Sequence, residues 1–318
     1  MKKSLLLLTM KPSILVGGQA VIEGVMMRVP GAYATAVRDP EGKVHIQKKE
    51  FQSITEKSSF WKKPIFRGMA SLYEAMKMGM ATLNYSADIA MPEEGEQSKL
   101  GEFFSTVFAI GLAITLFMVA PMWITTKLMN IEKEALWFNL ASGGFRIAFF
   151  VIYLLAISLL KDVRRLFQYH GAEHRVVYNF ESGKDVNINN AQSFPTQHPR
   201  CGTSFLFIVL LSAILVFAVV DTIVMYFLGT ISLPIRLLAH LPLIPLVSGV
   251  GYELIKLSAK SDSMLFSLLK QPGLWLQNIT TKQPENDMVE VSITALKEAF
   301  GDRYEEMVGQ EYTAEAIG

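Results

Sequence analysis

Four stretches of the sequence are apolar over enough residues to cross a lipid bilayer as helices. They are Phe103 to Met129, Trp137 to Leu160, Thr203 to Leu228 and Ile231 to Leu257. A helix needs about 20 mainly apolar residues to span the hydrocarbon core, where every backbone polar group must bond internally. A buried helix of a soluble protein normally keeps a polar face, yet Phe104 to Trp123 carries no charged residue. We therefore predict a mainly α, polytopic membrane protein with about four transmembrane helices.

The fourth stretch is the least regular of these. Prolines interrupt it at Pro234, Pro242 and Pro245. It also contains Arg236 and His240, and the third stretch contains Asp221. Because ionisable groups at membrane depth usually face a protein interior or a water-filled cavity, we expect these groups to line one, with Asp221 pairing with Arg236. The alternative is that they lie near the membrane boundary and extend into the headgroups.

Basic residues indicate how the chain crosses the membrane, because short loops rich in Lys and Arg stay in the cytoplasm. The segment 161–202, between the second and third stretches, carries Lys161, Arg164, Arg165, Arg175, Lys184 and Arg200. The loop between the first and second stretches offers mainly Lys133, which lies between two glutamates. We therefore expect segment 161–202 and both termini to be cytoplasmic.

Residues 1–98 are expected to form a small cytoplasmic α+β region. Two strand-like runs, Tyr33 to Arg38 and Val44 to Lys48, flank a turn at Asp39 to Gly42 and predict a hairpin. Arg67 to Ala90 is predicted to be a Met-rich helix that packs on the membrane surface or on the hairpin.

Helix breakers set the remaining boundaries. An acidic linker, Met91 to Glu96, leads into a membrane region at residues 99–260. Residues 261–318 are predicted to be a cytoplasmic helical tail, with a turn at Pro272–Gly273 and a helix from Met288 to Phe300.

The composition excludes several classes of protein. The net charge is only +1 and no nucleic-acid-binding motif is present, so nothing indicates a nucleic-acid partner. The single cysteine, Cys201, excludes an internal disulfide. The apolar run Leu5 to Leu8 follows two lysines, as in a signal peptide, but it is shorter than the roughly 7–15 residues of a signal's apolar region. We expect no cleaved signal.

The segment His170 to His174 is the clearest candidate for chemistry. We expect the second span to continue beyond the membrane as one helix through this segment, which puts His170 and His174 one turn apart on one face. Two imidazoles at that spacing can hold one metal ion. Glu173 completes the order His-x-x-Glu-His of inverzincins, in which the carboxylate acts as general base toward a bound water. We therefore predict Glu173 to be the catalytic residue.

A metal site needs further ligands, and His198 and Cys201 are the nearest candidates in the sequence. Imidazole and thiolate suit Zn(II), and these ligand types are also compatible with Fe(II). Ligation by all four side chains makes a closed structural site, whereas three ligands and a water make a catalytic one, and the sequence leaves both open. Arg175 and Arg200 flank the site and either bind an anionic substrate, such as a phospholipid headgroup, or only keep the loop cytoplasmic. Arg200 is also a candidate to support the site by bonding to one of the ligands.

A second candidate segment runs from Gly17 to Arg28. It starts with paired glycines and contains Gln19, Glu23 and Arg28 within an apolar run. The spacings of the glycine-rich phosphate-binding motifs are absent, so nucleotide binding has no support. We expect Glu23 either to reach the histidines, as a ligand or as a group bonded to one, or to belong to a tightly packed strand and turn.

Four segments carry a resemblance to a known family: Gly17 to Arg28, His170 to His174, His198 to Phe205 and Pro272 to Gln277. Through them, and over nearly its whole length, the chain resembles the YqhQ-type bacterial membrane proteins. The resemblance implies a bacterial plasma-membrane protein with the histidine segments as its signature. That family is of unknown function and is commonly described as predicted metal-dependent, so the resemblance implies no established reaction.

Two functions stay open on the sequence. The first is a metal-dependent hydrolase at the cytoplasmic membrane face, with His170, His174 and His198 as ligands, Glu173 as base, and Cys201 as ligand or bystander. The second is a non-catalytic membrane scaffold or accessory protein with structural histidines, whose basic cytoplasmic face docks another membrane or a translation-linked complex. A transporter is a lesser alternative, because ionisable groups occur within the spans. Beyond the lipid bilayer, the sequence predicts neither a partner nor an oligomeric state.

Overall fold

The computed structural model of the protein describes residues 16–92, 99–259 and 264–309. The apolar run Leu5 to Leu8 and residues 93–96 of the acidic linker lie outside these ranges.

A four-stranded antiparallel sheet opens the described chain. Its strands are β1 (Gly17–Val21), β2 (Gly24–Val29), β3 (Ala32–Arg38) and β4 (Val44–Glu50), in that order across the sheet. The predicted hairpin is confirmed as β3 and β4, which pair from Arg38 opposite Val44. Asp39 closes its turn, because one carboxylate oxygen accepts hydrogen bonds from the backbone amides of Glu41 and Lys43.

Within residues 16–92, 99–259 and 264–309, four helices are long and apolar enough to cross a membrane, which agrees with the predicted number of spans. The first consists of α3 (Lys99–Ile114), a π-helical turn (Thr115–Val119) and α4 (Ala120–Met129). The second is α5 (Ala135–Ile157) and the third is α8 (Gly202–Leu228). The fourth consists of α9 (Leu233–His240), a 3-10 turn (Leu241–Leu243) and α10 (Ile244–Ala259). The last is broken because prolines at 242 and 245 provide no backbone N–H for the helical ladder.

The remaining helices lie outside the four candidate spans. They are α1 (Ile54–Lys57), α2 (Phe66–Ala90), α6 (Lys161–Glu181), α7 (Ile188–Gln192), α11 (Met264–Thr280), α12 (Asn286–Phe300) and α13 (Tyr304–Met307). Short 3-10 turns occur at Phe60–Lys62 and Gly301–Arg303.

Two expectations about helix continuity are wrong. The second span does not run on as one helix: α5 ends at Ile157, and Leu160 has extended backbone angles before α6 begins at Lys161. The turn expected at Pro272–Gly273 is absent, since α11 continues through both residues. A Cβ on Gly273 would lie 2.6 Å from the Oγ of Ser204, so this glycine instead permits close packing of α11 on α8.

The main hydrophobic core joins three distant parts of the chain. One face of the sheet supplies Val25, Met27 and Ala34, and α6 supplies Tyr169 and Phe180, all of them fully buried. The tail helix α12 packs on β2, on β3 and on α6, and contributes a further row of buried side chains. Burying each large apolar side chain stabilises the fold by about 1.5–3 kcal/mol. The sheet, α6 and α12 therefore support one another, and the core holds α6 in position.

The Met-rich helix α2 packs on the opposite face of the sheet, where Met26, Tyr33 and Met78 form a smaller cluster. The side-chain amide of Gln19 donates to the Oγ1 of Thr82 at 2.8 Å, which ties β1 to α2. The first turn of α2 also packs against α10 of the fourth candidate span. The sheet is thereby joined to the membrane helices.

Candidate metal centre

His170 and His174 lie one turn apart on α6, with their ring centroids 4.5 Å apart. His174 and Glu173 are buried, with 2% and 5% of their surfaces exposed. The rings face the end of segment 161–202 and helix α11, because each makes a hydrogen bond to a backbone carbonyl there. The predicted helical spacing of the two histidines is therefore present in the fold.

These two hydrogen bonds determine which ring nitrogen of each histidine carries the proton. His170 Nδ1 lies 2.8 Å from the carbonyl oxygen of Thr280, and His174 Nδ1 lies 2.5 Å from that of Thr196. A carbonyl oxygen can only accept, so Nδ1 must donate in both rings. In a neutral imidazole the lone pair is then on Nε2. This is the arrangement typical of metal-binding histidines, whose second nitrogen donates to a carbonyl or a carboxylate.

Cys201 completes a group of three, called here the histidine–cysteine cluster: His170, His174 and Cys201. The Sγ of Cys201 lies 3.2 Å from His170 Nε2, and one ligand atom from each of the three residues lies within 4.8 Å of the others. Zinc bonds of about 2.0–2.3 Å in a tetrahedron put neighbouring ligand atoms about 3.3–3.7 Å apart. A side-chain movement of about 1 Å would therefore bring the donors to bonding distance, and the donor set fits zinc.

His198 lies beside the histidine–cysteine cluster but outside it. Its ring centroid is 5.6 Å from that of His174. Its Nδ1 accepts the backbone N–H of Arg200 at 3.3 Å, which leaves the proton on Nε2, and that atom lies 3.7 Å from a carboxylate oxygen of Glu181. The protonation pattern of His198 is therefore the reverse of that in His170 and His174. Its role as a ligand stays a prediction.

The backbone of His198 is held by a residue that the chemical argument from the sequence did not use. Gln277, fully buried on α11, accepts the His198 N–H at 2.7 Å and donates to its carbonyl at 2.9 Å. A buried side-chain amide needs such partners, because an unsatisfied amide in an apolar environment costs about 1–3 kcal/mol. Gln277 lies in one of the segments that carry the family resemblance, which was the only sequence signal for it.

Glu173 lies between the cluster and strand β1. Its Oε2 is 3.5 Å from His174 Nε2. Burial raises the pKa of Glu173 above its ordinary value, although the neighbouring His170 and His198 oppose the rise. The backbone N–H of Gly18 donates to the carboxyl group. A polar group taken out of water in this way needs such a donor.

Close packing explains why the second of the paired glycines of β1, Gly18, has no side chain. A Cβ there would lie 2.3 Å from the backbone oxygen of Met26 and 2.9 Å from the Cγ of Glu173, whereas a Cβ on Gly17 would meet nothing within 4 Å. Only a residue without a side chain allows β1 to approach both β2 and Glu173 so closely. The glycine segment and the histidine segment therefore meet at this contact.

Glu23 is bonded elsewhere than at the histidines. Its carboxylate accepts a hydrogen bond from Arg165 Nη2 at 2.6 Å and one from the Tyr169 hydroxyl at 3.2 Å. Glu23 has a positive φ of 51° in the turn between β1 and β2. These contacts attach the turn to the first half of α6, so Glu23 supports the helix that carries the histidines.

The two arginines near the cluster have different partners. Arg200 donates through Nη2 to Glu181, while its Nη1 is buried without a hydrogen-bond partner among the residues that the structure describes. Arg175 is buried and donates to Gln192 and, at 2.5 Å, to Gln283. Arg175 Nε is likewise buried without a partner among the described residues, but of the two arginines it is Arg200 that lines a cavity.

A second buried polar group, called here the membrane cluster, consists of Asp221, Arg236 and His240. Asp221 Oδ1 lies 2.8 Å from His240 Nε2, and its Oδ2 lies 3.6 Å from Arg236 Nε. At most 1% of the surface of each residue is exposed. The expected pairing of Asp221 with Arg236 is therefore observed, in the interior of the four-helix region.

Comparisons with known proteins place the chain in a family. A family model described as "Protein of unknown function (DUF1385)" matches residues 63–302. The chain is also 30% identical over 297 residues to "Uncharacterized protein YqhQ" of Bacillus subtilis (strain 168), with 89% of this chain and 91% of that protein covered. No solved structure matches it significantly. Neither description names a metal, so the metal dependence that the resemblance implied gains no support from them. The chain belongs to the DUF1385 family of proteins of unknown function.

Proposed function

We propose that this membrane protein binds one transition-metal ion, zinc in the first place, through His170 Nε2, His174 Nε2 and Cys201 Sγ. The proposed site belongs to a hydrolase that acts at the cytoplasmic face of the plasma membrane. The observation that carries the proposal is the pair of Nδ1 hydrogen bonds to Thr280 and Thr196, which leaves an Nε2 lone pair on each ring.

A cluster held only by hydrogen bonds explains these contacts less well. His174 Nε2 lies 3.5 Å from Glu173 Oε2, a distance too long for a good hydrogen bond. A metal ion would give this Nε2 lone pair a stronger partner, because neutral imidazole is a common metal ligand. The thiol of Cys201 becomes a metal ligand on losing its proton.

The proposed reaction class follows from the number of ligands. Zinc with three protein ligands keeps a fourth position for water and lowers that water's pKa. Glu173 adjoins His174, and its carboxyl group is held by the Gly18 amide, so it would be the residue to accept a proton from a water bound there. Thr196 and Thr280 hold the two rings in place through their backbone carbonyls.

One observation favours a non-catalytic scaffold as the second candidate. His198 is buried, and its ring lies 5.6 Å from that of His174. If this ring turned and became the fourth ligand, the site would be closed and structural. The metal site would then only hold segment 161–202 against α8 and α11.

Metal content separates these possibilities. The full chain is purified in detergent without added metal, and metals are counted by inductively coupled plasma mass spectrometry. We expect about one zinc per wild-type chain, and little in the variants H170A, H174A and C201A. The variant H45A is the control, because His45 pairs with Asp39 at the β3–β4 turn.

The H198A variant discriminates between the two functions. Retained zinc supports the open, catalytic site, and lost zinc supports the closed, structural one. A folded wild-type chain with no metal bound would rule out both forms of the metal site.

A further inference from the structure

A cavity of about 770 Å³ lies between the second face of the sheet and helix α2. Its walls come from β1, β2 and α2, and Arg200 and Tyr252 close part of it. Ligand pockets for small molecules commonly measure about 300–1,000 Å³. The cavity is therefore large enough for a small molecule or a lipid headgroup.

Basic residues outnumber acidic ones in the lining of this cavity. The ionisable lining residues other than tyrosine are Arg28, Lys62, Arg67, Arg200, Glu56 and Glu74. Glu74 is already engaged, because it accepts hydrogen bonds from the Ser53 hydroxyl and from the backbone N–H of Ile54. Arg67 and Arg200 are paired with Glu253 and Glu181, so Arg28 and Lys62 are the lining cations that make no ion pair among the residues that the structure describes. Cations of this kind suit a phosphate monoester, which carries about −1.5 to −2 near neutral pH.

Arg28 is the best-placed group for such an anion. Its guanidinium carbon lies 4.3 Å from the centre of the Phe51 ring, and no hydrogen bond to its side chain occurs within the described ranges 16–92, 99–259 and 264–309. Burial lowers the pKa of Arg28, with Glu74 the strongest opposing influence. An arginine that has lost water without gaining an acceptor is stabilised by an incoming anion.

Arg200 and Gly18 connect the cavity to the candidate metal centre. Both line the cavity, and Arg200 offers the unpartnered Nη1 described above. Gly18 contacts Glu173, which neighbours His174. Gly18 is therefore a point of contact between the cavity lining and the residue next to His174.

The cavity lining also suits an apolar group. Met26, Phe51, Met78 and Tyr252 line it, and Tyr252 belongs to the fourth candidate span. Helix α2 is anchored there by the ion pair of Arg67 with Glu253, whose Nε–Oε1 distance is 2.7 Å. One side of the cavity thus adjoins a helix suited to the bilayer.

We propose that this cavity binds a phosphate monoester that carries an apolar group, with its phosphate on Arg28 and Arg200. The chemistry is shared by an anionic lipid headgroup and by a soluble phosphate ester. That the ligand is also the substrate of the metal centre rests on the proposed function, whereas its binding does not.

The test is calorimetric titration of the detergent-solubilised full chain with dihexanoyl phosphatidic acid and with glycerol 3-phosphate. We expect saturable binding of at least one. Removing a charge-assisted hydrogen bond in R28Q should weaken it about tenfold or more. The control K49Q makes the same change of charge on the same sheet face outside the cavity, opposite Tyr33, and should bind as wild type.

A second variant, A75W, keeps the charged residues of the cavity and reduces its volume. Ala75 lines the cavity from an exposed position on α2, so A75W should fill part of it and weaken binding without unfolding the chain. Lipid binding at least about tenfold tighter than that of glycerol 3-phosphate assigns a lipid headgroup, and similar affinities assign a soluble ester. The inference is overturned if folded wild type binds neither compound, or if K49Q weakens binding as much as R28Q.

The metal site and the phosphate-binding cavity can be disproved independently. H170A should lose metal and still bind the phosphate compound, whereas R28Q should lose that compound and keep its metal. A chain without metal that still binds the phosphate compound removes the proposed hydrolase and leaves the cavity site standing.

Discussion

The histidine–cysteine cluster and the membrane cluster both bury ionisable side chains, but they satisfy them in opposite ways. In the membrane cluster a carboxylate, Asp221, meets His240 at 2.8 Å and Arg236 at 3.6 Å, so opposite charges are paired. In the histidine–cysteine cluster both rings donate through Nδ1 to uncharged carbonyls, and the Nε2 lone pair of His170 faces the Cys201 Sγ at 3.2 Å. Burial of a histidine therefore does not by itself indicate a ligand; the partner of each ring nitrogen does.

Aromatic side chains pack directly against two residues of the membrane cluster. His240 stacks on Phe217 with a centroid distance of 3.9 Å, and the guanidinium carbon of Arg236 lies 3.4 Å from the centre of the Phe138 ring. These contacts hold the membrane cluster in one arrangement inside the four-helix region. We infer that it stabilises the helix packing, whereas the histidine–cysteine cluster is available for a ligand.

Removing Asp221 from the membrane cluster should cause the largest loss of folding stability. D221A leaves Arg236 and His240 buried without their counter-charge, and unpairing a buried ion pair costs about 3–5 kcal/mol. Thermal unfolding of the detergent-solubilised chain should show this loss, while zinc content per folded chain stays unchanged. D88N, at an exposed position of α2, is the control. Wild-type stability in D221A would show that the membrane cluster is not structural.

Zinc should stabilise the fold through the other cluster. At a free zinc concentration of about 100 times the dissociation constant, binding to the native state adds about 2.7 kcal/mol. The unfolding temperature of the metal-depleted wild type should therefore rise on adding zinc. C201S should show a much smaller rise, and an equal rise in both proteins would contradict ligation by Cys201.

A smaller loss is expected from closing the contact between β1 and Glu173. G18A places a Cβ against the Met26 backbone, and overpacking of this kind costs about 1–3 kcal/mol. G17A is a matched control next to it, because nothing lies within 4 Å of that Cβ, so a change within about 0.5 kcal/mol is expected. Denaturant unfolding measures both. Equal effects in the two variants would refute the packing argument.

Replacing Glu23 should cause the smallest loss of folding stability. Its ion pair with Arg165 is partly exposed, with 40% and 26% of the Arg165 and Glu23 side chains accessible. Such pairs contribute about 0–1 kcal/mol because water screens them. E23Q should therefore lose little stability and keep its full zinc content. Loss of zinc in E23Q would instead indicate that Glu23 is a metal ligand.

Local patterns predicted the local parts of the fold. Hydropathy identified the four long apolar helices, because their length and lack of charge are properties of the sequence itself. The turn residues at Asp39–Gly42 identified the β3–β4 hairpin. The break between α5 and α6 was missed, because the apolar residues continue to Leu160 without a glycine or proline to mark it.

Contacts between distant segments could not be predicted in the same way. The tail helix α12 shares a core with the sheet and α6, although its own periodicity indicates only that one face is buried. The carbonyls of Thr196 and Thr280 that orient the histidine rings are backbone groups, which every residue has. The contact of Gly18 with Glu173 requires two segments that are far apart in the sequence.

X-ray absorption at the zinc edge of the purified full chain tests the central claim most directly. The proposed site predicts one sulfur neighbour at about 2.3 Å and two imidazole nitrogens at about 2.0–2.1 Å, with the sulfur lost in C201S. A zinc environment of nitrogen and oxygen alone in the wild type, or no bound zinc in the folded chain, would contradict ligation by His170, His174 and Cys201.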